Sequence, residues 1–227
     1  MFHEIDPDTW DRREHYRHFL HTCNCKFSVT VPVDITALFH AVKAENLKLY
    51  PALIYLLGRA VNEDYHFRMG FSDGRLGYYD ESHPCYTIPN AQEGGFSAIW
   101  TEYTPDFGAF YRAYLSDTAQ YSASTHYAPK NGQPPNTYYV SCTPALAFTS
   151  LDMELRDSDG FEPIFTIGRY SENGGRISVP VALRMHHAVC DGYHVGNLYG
   201  RLEQSAANPA FLTVSYTHLR AHETLAN

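Results

Sequence analysis

Residues 176–192, RISVPVALRMHHAVCDG, decide the fold. From Arg176 to Met185 the β-branched Ile177, Val179 and Val181 alternate with their neighbours, the pattern of a strand running toward His186 and His187. Beyond Gly192, Val195, Leu198, Tyr199 and Leu202 recur at spacings of three and four up to Gln204, which predicts an amphipathic helix. Strand, sharp turn and helix therefore set an imidazole at a rigid edge. Imidazole titrates near pH 6.5 and is the side chain best matched to withdrawing a proton near neutrality. One of the two histidines is a candidate general base, weighed against the commoner fate of a histidine as a plain strand-end residue.

Working outward, Ser171-Glu172-Asn173-Gly174-Gly175 reads as a hairpin joining Pro163–Tyr170 to the histidine strand. Further strands are predicted at Thr137–Cys142 and Ala145–Leu151, and the prolines and glycine of Ser122–Asn136 mark a loop. Pro105–Tyr121 carries Phe107, Phe110, Tyr111 and Tyr114 at helical intervals, a surface helix. Pro84–Ile88 and Phe96–Thr101 read as strands, as do Phe67–Phe71 and Leu76–Tyr79 around the Ser72-Asp73-Gly74 turn. Tyr50–Asn62 is an almost wholly apolar helix with Pro51 in its first turn, shaped to lie flat on a sheet. Asp34 caps another helix that buries Leu38, Phe39 and Val42, and Cys23–Val33 is a strand closed by Pro32. Trp10–His21 is a short first helix with Tyr16, Phe19 and Leu20 on one face. Helices early and strands late favour α+β, with helices on one face of a mixed sheet. Residues 1–208 form one domain. Residues 209–227 break the helical pattern and read as an appended tail outside the fold.

Composition excludes several classes. A net charge of −8 without a basic cluster argues against nucleic acid. The longest apolar run, residues 50–61, contains Arg59 and is far shorter than the roughly 20 residues a bilayer needs. The acidic N-terminus lacks the order of a secretion signal, and five irregularly spaced cysteines suit reduced thiols, so a cytoplasmic protein is expected. Cys23-Asn24-Cys25 lacks a second pair to complete a metal clip. His186, His187, Asp191 and His194 carry metal-ligating atoms, but neighbouring strand residues point to opposite faces, and no metal is expected.

The pattern HHxxxDG resembles the signature of the coenzyme A-dependent acyltransferases, and HHAVCDGYHV is similar to its form in chloramphenicol acetyltransferases. The resemblance extends over roughly residues 5–205 through WDRREHY, KLYPALIYLLGRAVN, FRMGFSDG, HPCYT, VSCTPALAFTSLD and EPIFTIGRY. It implies a two-layer α/β sandwich with a mixed sheet that forms a homotrimer, with active sites in channels between subunits. It also implies acetyl-CoA as co-substrate and chloramphenicol as acceptor, giving antibiotic resistance. By the same resemblance His187 is the general base and Ser141 the donor to the tetrahedral oxyanion, while Asp191 pairs with Arg12 to brace the turn. Phe19, Cys23, Phe96 and Ile164 fall at acceptor-pocket positions, though each alone reads as core, and Arg169 and Tyr170 fall near the coenzyme. Two departures are plain: Ala128 stands where the family usually has an aromatic, and Ala145 where it usually has tryptophan.

Ser141, His187 and Asp191 do not read as a hydrolase triad, because no GxSxG elbow is present and Asp191 follows His187 by four residues. Competing readings are an acyltransferase for another hydroxylated or thiol acceptor, of the dihydrolipoamide type, and a non-catalytic drug-binding trimer. Neither His187 nor Ser141 would be needed for binding alone.

Overall fold

The computed structural model describes residues 1–90, 94–153 and 160–212. The chain opens with strand β1 (Phe2–Glu4) and helix α1 (Arg13–Arg17), which widens over His18–Thr22, where the Cys23 amide reaches back to the His18 carbonyl at 3.1 Å. Strand β2 (Lys26–Asp34) leads to helices α2 (Thr36–Ala44) and α3 (Leu49–Asn62). A single tight turn, Tyr65–Arg68, precedes β3 (Met69–Ser72) and β4 (Arg75–Tyr79). Then come β5 (His83–Pro89), β6 (Phe96–Trp100), α4 (Phe107–Tyr121) and β7 (Thr137–Cys142). The chain continues with β8 (Ile164–Ile167), β9 (Ser171–Asn173), β10 (Arg176–His186) and α5 (Gly192–Ala207).

The main sheet runs in the order β2-β10-β8-β7-β5-β6, with β9 paired to β10, and β1-β4-β3 form a small separate sheet. β5, β7 and β8 are mutually parallel while the other pairs are antiparallel, so the sheet is mixed. The class is α+β, as expected, with helices layered on one face of the mixed sheet. Alternate residues of β10 (Val179, Val181, Leu183, Met185) are buried, as period two requires of a strand covered on that side. Tyrosine hydroxyls tie the layers together. Tyr199 of α5 donates to the Val181 carbonyl at 2.9 Å, and Tyr50 of α3 donates to that of Val140 at 3.3 Å. α3 buries ten of its residues, Ile54, Leu56 and Leu57 almost completely, and each such side chain contributes about 1.5–3 kcal/mol.

Several expectations shift. Pro32 lies inside β2 instead of closing it, opposite Pro180 of β10, and β2 at the sheet edge tolerates a missing donor. Ala145–Leu151 is not a strand. Leu146 folds back on Thr143, its carbonyl accepts from the Arg169 amide, and the Leu151 amide donates to Thr30 Oγ1. Phe67 belongs to the tight turn before β3, and the hairpin there is the two-residue Asp73-Gly74, both at positive φ. α4 is more deeply set than a surface helix, with Phe107, Phe110, Tyr111 and Tyr114 buried. Just beyond the expected boundary at residue 208, Leu212 is buried and the Phe211 ring lies 5.3 Å from that of Tyr55 and 5.4 Å from that of Phe107. Residues 213–227, the rest of the expected tail, lie outside the described residues.

Candidate active site

β10 holds its register with β2 to the last pair, His186 opposite Lys26, and the His187 amide donates to the Cys25 carbonyl at 2.8 Å. The chain then turns through Ala188, Val189 and Cys190, all fully buried, into α5. The two histidines have different surroundings. His186 is buried, its Nδ1 accepts from the Ala188 amide at 3.1 Å, and its Nε2 lies 3.2 Å from Asn24 Oδ1. An accepting Nδ1 puts the proton of a neutral ring on Nε2, where it donates to Asn24. His187 instead lies flat against Phe19, centroids 3.9 Å apart and planes 8° from parallel, with Phe27 at 5.0 Å. Its Nδ1 is buried without a partner. Nε2 is thus the nitrogen left to meet a substrate.

Arg12, 9 % exposed, spends all three guanidinium nitrogens on this turn. Nε donates to the Ala188 carbonyl at 3.1 Å, Nη2 to the His187 carbonyl at 3.1 Å and Nη1 to Asp191 Oδ2 at 2.6 Å. Asp191 Oδ1 caps α5 by accepting from the Tyr193 amide at 3.0 Å and lies 2.9 Å from His194 Nδ1. Burial alone would raise the Asp191 carboxyl, but hydrogen bonds from Arg12 and His194, with their charges, hold it well below the usual carboxylate range. Its partners are Arg12 and His194, which is not the arrangement of a hydrolase triad. Burial pushes the Cys190 thiol far up, so it offers no thiolate. Among the described residues no group of three or more His, Cys, Asp or Glu is placed to hold a metal ion.

Ser141 lies elsewhere, on the sheet face away from Tyr138 and Val140, which are buried. Its Oγ is 2.9 Å from Thr166 Oγ1 and 3.4 Å from the Phe165 carbonyl. It lines a cavity of about 340 Å³ with Phe96, Ala98, Tyr127, Met153 and Ile164, and Phe96 and Tyr127 are 56 % and 66 % exposed. Arg169 and Tyr170 line a second cavity, about 180 Å³, with Tyr50, Cys142 and Pro144 at the ends of β7 and β8.

The expected residues therefore fall into separate groups: His187 with Phe19, Cys23 at the end of the same widened helix, Ser141 with Phe96 and Ile164, and Arg169 with Tyr170. Ser141 is level with Thr166, which is level with Ala182 of β10, five residues short of His187. Two strand spacings across and five residues along separate Ser141 from His187 by roughly 20 Å within one chain. Sequence reasoning missed Thr166, and it took His194 only as a potential metal ligand. The Asp-x-x-His spacing at the start of α5, which sets the N-cap carboxylate against the side chain three residues on, is the signal that would have found it.

A family model described as chloramphenicol acetyltransferase matches residues 1–203. A chloramphenicol acetyltransferase of Escherichia coli is 41 % identical over 201 residues, 88 % of this chain and 91 % of that protein. One from Clostridium perfringens is 39 % identical over 209 residues, 91 % of this chain and 95 % of that one. A solved chloramphenicol acetyltransferase structure superposes with a TM-score of 0.79 at 27 % identity, covering 90 % of this chain and 99 % of the other.

Proposed function

The chain belongs to the chloramphenicol acetyltransferase family, a family of acyltransferases, and from that premise we propose that it moves the acetyl group of acetyl-CoA to a hydroxyl of chloramphenicol, conferring antibiotic resistance. The observation that carries the reading is the imidazole of His187, stacked on Phe19 with Nε2 free, on a turn gripped by three donors of Arg12. An alcohol attacks a thioester poorly until its proton is withdrawn. His187 Nε2 takes that proton as the hydroxyl oxygen bonds to the carbonyl carbon. The tetrahedral oxyanion accepts a hydrogen bond from Ser141, and collapse breaks the carbon–sulfur bond and returns the proton to the coenzyme A thiolate. No metal enters this sequence. The cavity of Phe96 and Ile164 takes the nitroaromatic alcohol, with Phe19 and Cys23 meeting it from the His187 side of the neighbouring subunit, and Arg169 and Tyr170 receive the coenzyme.

His187 and Ser141 are too far apart to act together in one chain, which supports a homotrimer whose sites pair His187 of one subunit with Ser141 of its neighbour. The exposed Phe96, Tyr127, Tyr139 and Met153 beside Ser141 suit coverage by that neighbour. The enzyme works in the cytoplasm, where acetyl-CoA is made.

The test is thiol release from acetyl-CoA with and without chloramphenicol, for the wild type and His187→Ala. Acceptor-dependent release lost in His187→Ala supports the reading. Release needing no acceptor points to a thioesterase, and no release from folded protein points to a drug-binding trimer. Co-refolding His187→Ala with Ser141→Ala checks the shared site. Mixed trimers regain activity only if each site draws the two residues from different subunits.

A further inference from the structure

His194 is backed by a second imidazole. The His66 ring lies 4.0 Å from it, centroid to centroid, tilted by 52°. His66 Nδ1 is 2.7 Å from Asp64 Oδ1, which also accepts the His66 amide at 3.1 Å. Asp64, His66 and His194 expose about 15 % or less of their side chains. A continuous polar chain thus runs Asp64, His66, His194, Asp191, Arg12, ending on the carbonyls of His187 and Ala188. It joins the turn after α3, the first turn of α5, the start of α1 and the end of β10.

The protonation pattern follows from the partners. His194 Nδ1 lies 2.9 Å from the Asp191 carboxylate oxygen Oδ1, and the Asp191 amide N–H points at the same nitrogen from 3.3 Å; one nitrogen cannot serve both, and the shorter contact, to a full anion, decides. A bare Nδ1 would set its lone pair against an anion, so Nδ1 carries the proton and donates to Oδ1. Burial, then the neighbouring His66, hold His194 below the ordinary imidazole range, so that donor is a neutral ring near neutral pH. Asp191 therefore has a donor on each oxygen, Arg12 on Oδ2 and His194 on Oδ1. Oδ1 also accepts from the Tyr193 amide at 3.0 Å, but one backbone donor fixes a single point: without the His194 N–H the carboxylate can tilt about that contact and carry the Arg12 guanidinium with it. That guanidinium sets the two carbonyls from which the His187 ring hangs.

We propose that His194, held against His66, is a positioning residue for the acyl transfer: its Nδ1–H fixes the Asp191 carboxylate, and through Arg12 it aims the imidazole of His187. This rests on the acetyl-transfer reading given above. His194 touches neither substrate, so its loss acts on kcat and spares binding.

His194→Phe keeps a ring against His66 and removes the donor, whereas His194→Asn places an amide N–H near the lost Nδ1. In steady-state kinetics, corrected for folded fraction, His194→Phe is expected to lower kcat by roughly 10- to 100-fold, the scale of small misplacements of catalytic groups. The KM values for chloramphenicol and acetyl-CoA stay within about twofold, and His194→Asn recovers most of the lost kcat. Equal loss in both variants in step with thermal stability marks a merely structural residue and overturns the proposal. So does unchanged kcat, or a rise in KM alone. A wild type without acceptor-dependent thiol release overturns the acetyl-transfer reading itself, an outcome visible before any variant is made. The wild type also gives a test independent of variant folding. Nitrogen-15 spectra of histidine-labelled protein must show His194 as the Nδ1–H tautomer, and the Nε2–H tautomer overturns the proposal.

Discussion

Replacing Arg12 by methionine removes three charge-assisted hydrogen bonds at once while keeping most of the side chain's bulk. Taking one partner from a buried ion pair costs about 3–5 kcal/mol because it strands the other charge. The Asp191 side chain is 30 % exposed and keeps the Tyr193 amide and His194 as donors, which argues for the lower end, about 3 kcal/mol. For a chain of this length that corresponds to a melting temperature lower by roughly 6–12 °C. Asp191→Asn alone strands an almost buried guanidinium, so the double variant is expected to cost less than the two singles together by about 1–3 kcal/mol. The pH dependence has a definite sign. Asp191 is held below its unfolded value of about 3.9, so its stabilisation is complete above that pH and is lost as pH falls toward the folded value. The gap between wild type and Arg12→Met should stay constant from about pH 8 to pH 5 and narrow below about pH 4. Urea unfolding at each pH, with kcat measured on the folded variant, reads both effects. A variant within about 0.5 kcal/mol of wild type at pH 7, or a gap that widens in acid, refutes the brace.

Ser141→Ala should raise the barrier by about 2.7–4 kcal/mol, measured as acceptor-dependent thiol release, while urea unfolding shows a loss of only about 1 kcal/mol, from the buried Thr166 Oγ1 left without its partner. Gly58→Ala should destabilise by about 1 kcal/mol. Its new Cβ would sit 2.8 Å from Tyr103 Cδ2 and 3.0 Å from the Tyr138 hydroxyl, and the overpacking exceeds the helix-propensity gain. Tyr199→Phe removes the 2.9 Å bond to the Val181 carbonyl in the buried layer between α5 and β10, and thermal unfolding should report a loss of about 1–2 kcal/mol.

The elements legible in the sequence are those where one face is covered along its whole length. β10 and α5 show their periods because every second or every third and fourth residue meets the core. Ala145–Leu151 alternates as a strand would, yet it lies near Thr30 and Gly168 without joining the sheet, and alternation alone does not distinguish pairing with a sheet from crossing it. Phe211 and Leu212 follow the break after α5, and their burial depends on α3 and α4, which local pattern does not encode. In the site, the strand-end histidine pair stood out by residue type, whereas Arg12 came from resemblance, since no local rule links it to a turn in the last fifth of the chain. The His66–His194 contact had no signal beyond the Asp-x-x-His spacing, because a ring contact between distant elements leaves no period.

The guanidinium that grips the turn is made 176 residues before the Ala188 carbonyl it binds. At ribosomal speeds of about 5–20 residues per second, that interval is roughly 9–35 s. During it the Arg12 cation lacks these partners, and an unfinished protein, even with most of its sheet assembled, cannot yet aim its imidazole. Activity thus arrives late and all at once, so a message broken before the codon for Asp191 yields chains that are folded in part and chemically silent.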